Sequence, residues 1–389
     1  MTMNKETLFA EVDRLMPTLI AVADQIFDYA EPGNREFRSA RLLAELLIKL
    51  GFSVEMGVGG LDTAFRGEFG SEGPSFGLLC EYDALENLGH ACGHHLQGPA
   101  IIGAAAALKL VCAEHPCRII VYGTPAEETT SGKVTMLRNG CFQDIDVALM
   151  MHGSPTTCTD IRCLACVNYH VTFHGKSAHA AIQPESGRSA LDAMLLMFQG
   201  IEFMREHIKD DARMHYTVLD AGGPANLVPS KAVAQVILRS YHTPYLENEL
   251  MPRFWNIVKG AALMSGTTYE INETKRTRGK VPVLTLNELL MNNAALVNAP
   301  RLSAPREKTG STDLGDVMYM VPGSCIRVAF VPDGTSSHSQ EYIDAGKGEA
   351  AHDAIGYGAK TLAGACYDML TQPECLQVIL AEFKRNKAE

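Results

Sequence analysis

Fifteen consecutive residues, Glu81-Tyr-Asp-Ala-Leu-Glu-Asn-Leu-Gly-His90-Ala-Cys92-Gly-His94-His95, carry three histidines, a cysteine and the carboxylates of Glu81 and Asp83. Imidazole, thiol and carboxylate groups at this density are what a transition metal needs. Any fold the chain adopts has to bring this segment to a place where such groups can be used. Downstream stand an adjacent carboxylate pair, Glu127-Glu128, and an isolated His152. Paired carboxylates are what metal-assisted hydrolysis needs.

A chain of 389 residues favours two domains. Its 46% hydrophobic and 20% charged residues are enough for a sizeable core. A net charge of −11 argues against nucleic acid or an anionic membrane as the main partner. The 11 cysteines are odd in number and irregularly spaced, which suits reduced thiols in a cytoplasmic protein. No basic stretch leads into an apolar run at the start, so no secretory leader is expected. Apolar stretches such as 99–112 are too short to span a membrane.

The first 50 residues read as helical, with Leu8, Val12, Leu15, Leu19 and Val22 at helical spacing and a second helix from about Glu36 to Leu50, stopped by Gly51. Apolar runs at 63–68, 75–80, 118–123 and 147–151 read as strands, and 99–111 as a buried helix between two of them. Helices alternating with apolar strands indicate an α/β layered domain. From 167 the pattern becomes strand (167–174), amphipathic helix (188–207), two strands (216–221, 232–240), helix (245–264) and strand (268–275). That β-α-β-β-α-β order is the ferredoxin-like arrangement and predicts an inserted domain. Helical and strand signals resume at 287–297, 325–331 and 349–370. The expected architecture is α/β: a mixed-sheet catalytic domain of residues 1–166 and 278–389, interrupted by a ferredoxin-like domain at 167–277.

Cys92 and His94, two apart on a turn entering the 99–111 helix, can address one metal, or the thiolate can bridge two. A lone pair of this kind also occurs as ordinary core residues. Glu127-Glu128 follows a strand end, where open α/β sheets place their sites. In extended backbone the two carboxylates would point opposite ways, one to metal and one to a substrate water. His152 is expected to end the strand at 147–151. Cys163-Leu-Ala-Cys166 has no second pair at zinc-ribbon distance, and Gly57–Gly60 lacks the lysine of a phosphate loop.

Together, His90-Ala-Cys-Gly-His94, Pro125-Ala-Glu-Glu128 and His152 with Pro155 resemble the auxin-conjugate hydrolase branch of the aminoacylase and carboxypeptidase-G metallopeptidase family. The segments Gly175-Lys-Ser-Ala-His179, Gly222-Gly-Pro-Ala-Asn226, Gly310-Ser-Thr-Asp313 and His338-Ser-Gln-Glu341 match as well. The last two are most similar to aminobenzoyl-glutamate hydrolase and β-alanyl-dipeptide hydrolases. The resemblance runs in order from about residue 25 to 385 and implies a hydrolase with two divalent ions, Mn or Zn. It implies Cys92 as bridging or shared ligand, His94, Glu128, His152 and His338 as the other ligands, and Glu127 as general base. Asp83 is implied to orient a ligating histidine. His179 resembles an oxyanion donor that reaches the partner subunit's active site, and Asn226 and Arg239 resemble residues that hold a substrate carboxylate or carbonyl. Glu81 stands where some members carry a ligating histidine, and it is expected to read a positive group on the substrate. His95 departs from the Asp or Asn usual there. It could be an extra ligand, a donor behind the ligands or a passive replacement, and the middle reading is preferred.

The expected activity is hydrolysis of the amide of an N-acyl or aminobenzoyl amino acid, or of a small dipeptide, in a cytoplasmic homodimer joined through the inserted domain. The alternatives are an exopeptidase that requires a free amine and a catalytically silent binding homologue.

Overall fold

In the computed structural model, which describes residues 4–307 and 309–388, apolar residues alternate between two covered faces of one sheet. Its strands are β1 (Ser53–Met56), β2 (Phe65–Phe69), β3 (Ser75–Cys80), β4 (Arg118–Gly123), β5 (Val147–Ser154) and β6 (Cys158–Thr159). A second sheet takes β7 (Ala165–His174), β8 (Arg213–Asp220), β9 (Lys231–Ser240) and β10 (Thr268–Thr277), and β11 (Gly323–Ala329) returns to the first sheet. Two compact units result: Met1–Arg162 with Lys280–Glu389, and Cys163–Gly279.

The first unit holds a seven-stranded mixed sheet ordered β1-β2-β4-β3-β5-β11-β6. Its centre, β4-β3-β5-β11, is parallel. Parallel strands are buried on both faces and therefore read as continuous apolar runs. Leu78, Val121, Leu149 and Met151 face a core shared with the helices Lys5–Tyr29, Gln97–Lys109 and Glu349–Thr371. Leu79, Ile120, Tyr122 and Met150 face a smaller core closed by the helices Gly132–Arg138 and Leu314–Met320. The chain thus builds the mixed α/β domain that its pattern implies.

The second unit is a four-stranded antiparallel sheet ordered β10-β7-β9-β8. Val167, Tyr169, Val171 and Phe173 pack with Met194, Met197, Ile201 and Phe254 on the helices Ala190–Arg205 and Met251–Ser265. Both helices cover one face, which is the ferredoxin-like arrangement. Among the described residues no helix is long and apolar enough to cross a membrane.

Gln97–Lys109 is the central helix of the first unit, buried along nearly its whole length. Close packing is possible because its neighbours meet glycine. A Cβ added at Gly103 would lie 2.8 Å from Leu19 Cδ1 and 3.2 Å from Ala359 Cβ. Gly103→Leu should therefore lower stability by about 1–3 kcal/mol through overpacking, despite the better helix propensity of leucine. Urea unfolding would show this as a lower midpoint at unchanged slope, and an unchanged midpoint would mean the three helices are not packed this tightly.

Candidate metal centre

Each element that leaves the carboxyl ends of the parallel strands carries part of one polar group. After β3 come Glu81, Asp83, Cys92 and His94. After β4 come Glu127 and Glu128. His152 lies inside β5 rather than after it, because the strand runs on to Ser154. His338 follows β11 in a loop tied back by its own N–H, which donates to the Ala91 carbonyl at 2.9 Å. His338 has φ +63°, a strained left-handed conformation for a non-glycine residue.

Ligand atoms of Cys92, His94 and His152 lie within 4.8 Å of one another, as do those of Cys92, Glu128 and His338. Cys92 belongs to both groups, and its Sγ is 3.6 Å from His152 Nε2. Glu128 Oε1 is 3.0 Å from His338 Nε2, yet it is buried and has no aligned hydrogen-bond donor. Ligand atoms that converge without an aligned hydrogen bond between them are what a cation would satisfy. The donor set, one thiol, three imidazoles and a carboxylate, suits a borderline divalent ion.

Hydrogen bonds behind these groups fix their orientation. His94 Nδ1 donates to Asp83 Oδ1 at 3.0 Å and approaches the Asp83 carbonyl at 3.1 Å, leaving Nε2 for the cluster. The other Asp83 oxygen accepts from the Glu128 backbone N–H at 3.0 Å. One carboxylate thereby sets the tautomer of one candidate ligand and the backbone of another. His152 Nδ1 donates to the Gly153 carbonyl at 2.7 Å, which likewise frees Nε2. Glu127 and Glu128 sit on a turn rather than in extended backbone. They do not point opposite ways as expected from a strand: both carboxylates, with His94, fall within 4.8 Å.

Burial pushes the Cys92 thiol up to about 12, so a thiolate here needs a cation beside it. Burial and the positive charge of Arg327 push His152 down to about 3, which keeps the imidazole neutral with its lone pair available. Burial, then Glu81 and Asp313, push Glu127 up to about 8. Burial opposes ionisation of Glu81, but Lys133 and His94 beside it hold its carboxyl well below the usual range.

Glu81 is fully buried, with one oxygen on Lys133 Nζ at 2.5 Å and the other on Gln97 Nε2 at 2.7 Å. Its carboxylate is already engaged, which weighs against the expected role of reading a charge on the substrate. His95 turns into the core, where Nε2 donates to the Gly346 carbonyl at 2.8 Å and the ring meets Phe27. In the second unit, exposed His179 accepts from the Ala181 N–H through Nδ1 at 3.2 Å. The Ala180 N–H donates to the Asn226 carbonyl at 3.0 Å, so His179 and Asn226 share one pair of loops. Arg239 lies on β9, opposite Cys166 of β7 and Arg213 of β8.

Sequence reasoning did not single out Lys133, and it assigned no role to Asp313, although Asp313 falls in a matched segment. Glu36 was also missed: a buried carboxylate that accepts from the Ala126 N–H at 2.8 Å and from Thr63 Oγ1 at 3.0 Å. It braces the turn that carries Glu127. No sequence signal distinguishes it from the surface acids of an amphipathic helix.

Over residues 77–367 the sequence matches Peptidase family M20/M25/M40. The chain belongs to this family. As an M20 member it is a hydrolase of amide bonds. It is 31% identical to one of the subunits of p-aminobenzoyl-glutamate hydrolase from Escherichia coli K12, over 92% of this chain and 90% of that protein. It is 32% identical to the Xaa-Arg dipeptidase of Mus musculus, over 84% of this chain and 78% of that protein. In fold it is similar to a dinuclear metal-binding M20 peptidase of Bacillus subtilis. The TM-score is 0.72 at 17% identity, over 92% of this chain and 99% of that one.

Glu36 also yields a pH prediction. Burial, with Asp83 nearby, raises its carboxyl from 4.5 to about 7. The folded state then holds this proton more tightly than the unfolded state does, so stability falls as pH rises through that window. Glu36→Gln removes the penalty. Its stability relative to wild type should improve from pH 4.5 to pH 7 and level off above. A difference that stays flat across denaturation curves in this range would refute the assignment.

Proposed function

We propose that the chain is a dinuclear metal-dependent amidohydrolase that cleaves the bond joining an acyl group to an amino acid, or the bond of a small dipeptide. The observation that carries this reading is the double membership of Cys92, whose thiol sits in two three-residue ligand groups, with His94 and His152 and with Glu128 and His338. Cys92, His94 and His152 would hold one ion, and Cys92, Glu128 and His338 the other, with Mn or Zn as the metal. When bound, such ions lower the pKa of an attacking water and polarise the amide carbonyl.

The remaining work falls to the chain's own residues. Glu127, within 4.8 Å of His94 and Glu128 but outside both Cys92 groups, is placed to take the proton from water and return it to the leaving amine. Asp83 keeps His94 in the ligating tautomer. His179 would donate to the oxyanion developing at the centre of a second copy of the chain, and Asn226 and Arg239 would hold a substrate carboxylate or carbonyl, a carboxylate being suited to a planar guanidinium fork. Glu81 is reassigned from reading a substrate charge to a structural role, since its two oxygens accept from Lys133 Nζ and Gln97 Nε2.

A homodimer through the second unit is supported by its edge strand β8, which leaves Val218 and Leu219 exposed. Eleven thiols suit the reducing cytoplasm. Similarity to p-aminobenzoyl-glutamate hydrolase favours an N-acylated amino acid as substrate. Similarity to Xaa-Arg dipeptidase supports a second reading, a dipeptide with a free amine.

A screen decides between them. Metal-restored protein would be offered N-acyl amino acids, aminobenzoyl-glutamate and dipeptides. Cleavage of acylated substrates supports the first reading, and cleavage of dipeptides alone the second. Binding without turnover in metal-replete protein would leave a silent homologue. Glu127→Gln should keep its metal and lose about 10²–10⁴-fold in kcat; full activity would disprove the proton-transfer role. Cys92→Ala should lose metal from both positions on dialysis, read by elemental analysis, and a variant that retains both ions would exclude a shared ligand.

A further inference from the structure

Lysine is almost never fully buried, yet the Lys133 side chain is. It is the second residue of the short helix Gly132–Arg138, whose first residue allows close approach of the Glu127 turn: a Cβ on Gly132 would meet the Pro125 carbonyl oxygen at 1.9 Å. The ammonium donates to Glu81 Oε1 at 2.5 Å and to Asp313 Oδ1 at 2.7 Å. Asp313 Oδ2 accepts from the Lys133 backbone N–H at 3.0 Å, so this carboxylate grips the residue twice. Carboxylate oxygens of Glu81, Glu127 and Asp313 lie within 4.8 Å of one another. All of this stands directly beside the candidate ligands, since Glu81 Oε2 is 3.3 Å from His94 Nε2.

Three converging carboxylates without compensation would either take up protons or recruit a cation. A hydrophobic side chain in place of a buried ion pair is often no less stable, so fold stability alone does not account for a lysine here. A divalent ion at this point could be removed by a chelator and would compete with the ions held through Cys92. An ammonium on a covalent stem can do neither.

We propose that the Lys133 ammonium is a tethered cation that fills the carboxylate group of Glu81, Glu127 and Asp313, fixes Glu81 and Asp313 beside Glu127, and keeps a further divalent ion out of the hydrolytic centre. Lys133 is thus a positioning residue, acting through the carboxylates it holds. The inference rests on the reading of the neighbouring residues as a metal centre, and the test separates the two.

Mn per chain would be counted by elemental analysis after equilibrium dialysis against MnCl₂, for wild type, Lys133→Met and the charge-matched pair Lys133→Met/Asp313→Asn. The expected result is about one additional Mn in Lys133→Met over wild type and a return to the wild-type count in the pair. Wild type that holds neither Mn nor, after a parallel dialysis against ZnCl₂, Zn would sink the metal-centre reading. Wild type with Mn, and folded Lys133→Met with the same count, would overturn the tethered cation alone. A gain in the pair equal to that in the single variant would overturn it as well. Should Lys133→Met fail to fold in metal-free buffer, the proposal expects Mn to restore folding and the pair to fold without Mn. Two variants that remain unfolded with and without Mn would show that Lys133 serves packing, not charge.

Discussion

Parallel pairing of β4, β3, β5 and β11 sets four carboxyl-terminal strand ends side by side, and the candidate ligands come from those ends. β3 delivers Cys92 and His94, β4 delivers Glu128, β5 carries His152 in its last turn of pleat, and the loop after β11 returns His338. Such a sheet must be covered on both faces. The helix Gln97–Lys109 can do this only because glycine and alanine let it approach its neighbours closely. Packing of that helix therefore decides where the Cys92–His94 turn begins. The polar group is a consequence of how the apolar layers close.

A group this polar is costly to bury, and the first unit offsets the cost with specific bonds. Asp83 bonds both His94 and the backbone of Glu128. Glu36 bonds the Ala126 N–H, one residue from Glu127. Lys133 lies between Glu81 and Asp313. Each bond removes a freedom that a ligating or proton-carrying side chain would otherwise have, which is how preorganisation is built. The left-handed backbone at His338 belongs to the same pattern, a local strain kept where the loop must turn back onto Ala91.

Much of this was legible because burial writes itself into apolar periodicity. β3 and β4 occupy the ranges read from sequence, as continuous apolar runs must when both faces are covered. The β-α-β-β-α-β unit was legible from the alternation in β7 and β9, each half-buried. β1 and β6 escaped notice because one is largely exposed and the other has two residues. The final helix, Pro373–Ala388, buries only Leu376, Ile379, Glu382 and Phe383, so its stripe is faint, although a proline at its first position is a start signal. In the site, Cys92, His94, Glu128, His152 and His338 were named from dense ligand types and resemblance. The turn at Glu127-Glu128 was read as extended because propensity does not register the left-handed residue, Ala126 at φ +61°, that makes it a turn. Lys133 was illegible because its burial depends on Glu81 and Asp313, partners distant in sequence.

Anomalous diffraction from crystals of the metal-loaded protein, collected at the Mn and Zn absorption edges, tests the central claim most directly. The account predicts two peaks that share Cys92 Sγ, one bounded by His94 and His152 and the other by Glu128 and His338. A single peak, or a peak among Glu81, Glu127 and Asp313 where the Lys133 ammonium stands, would contradict it.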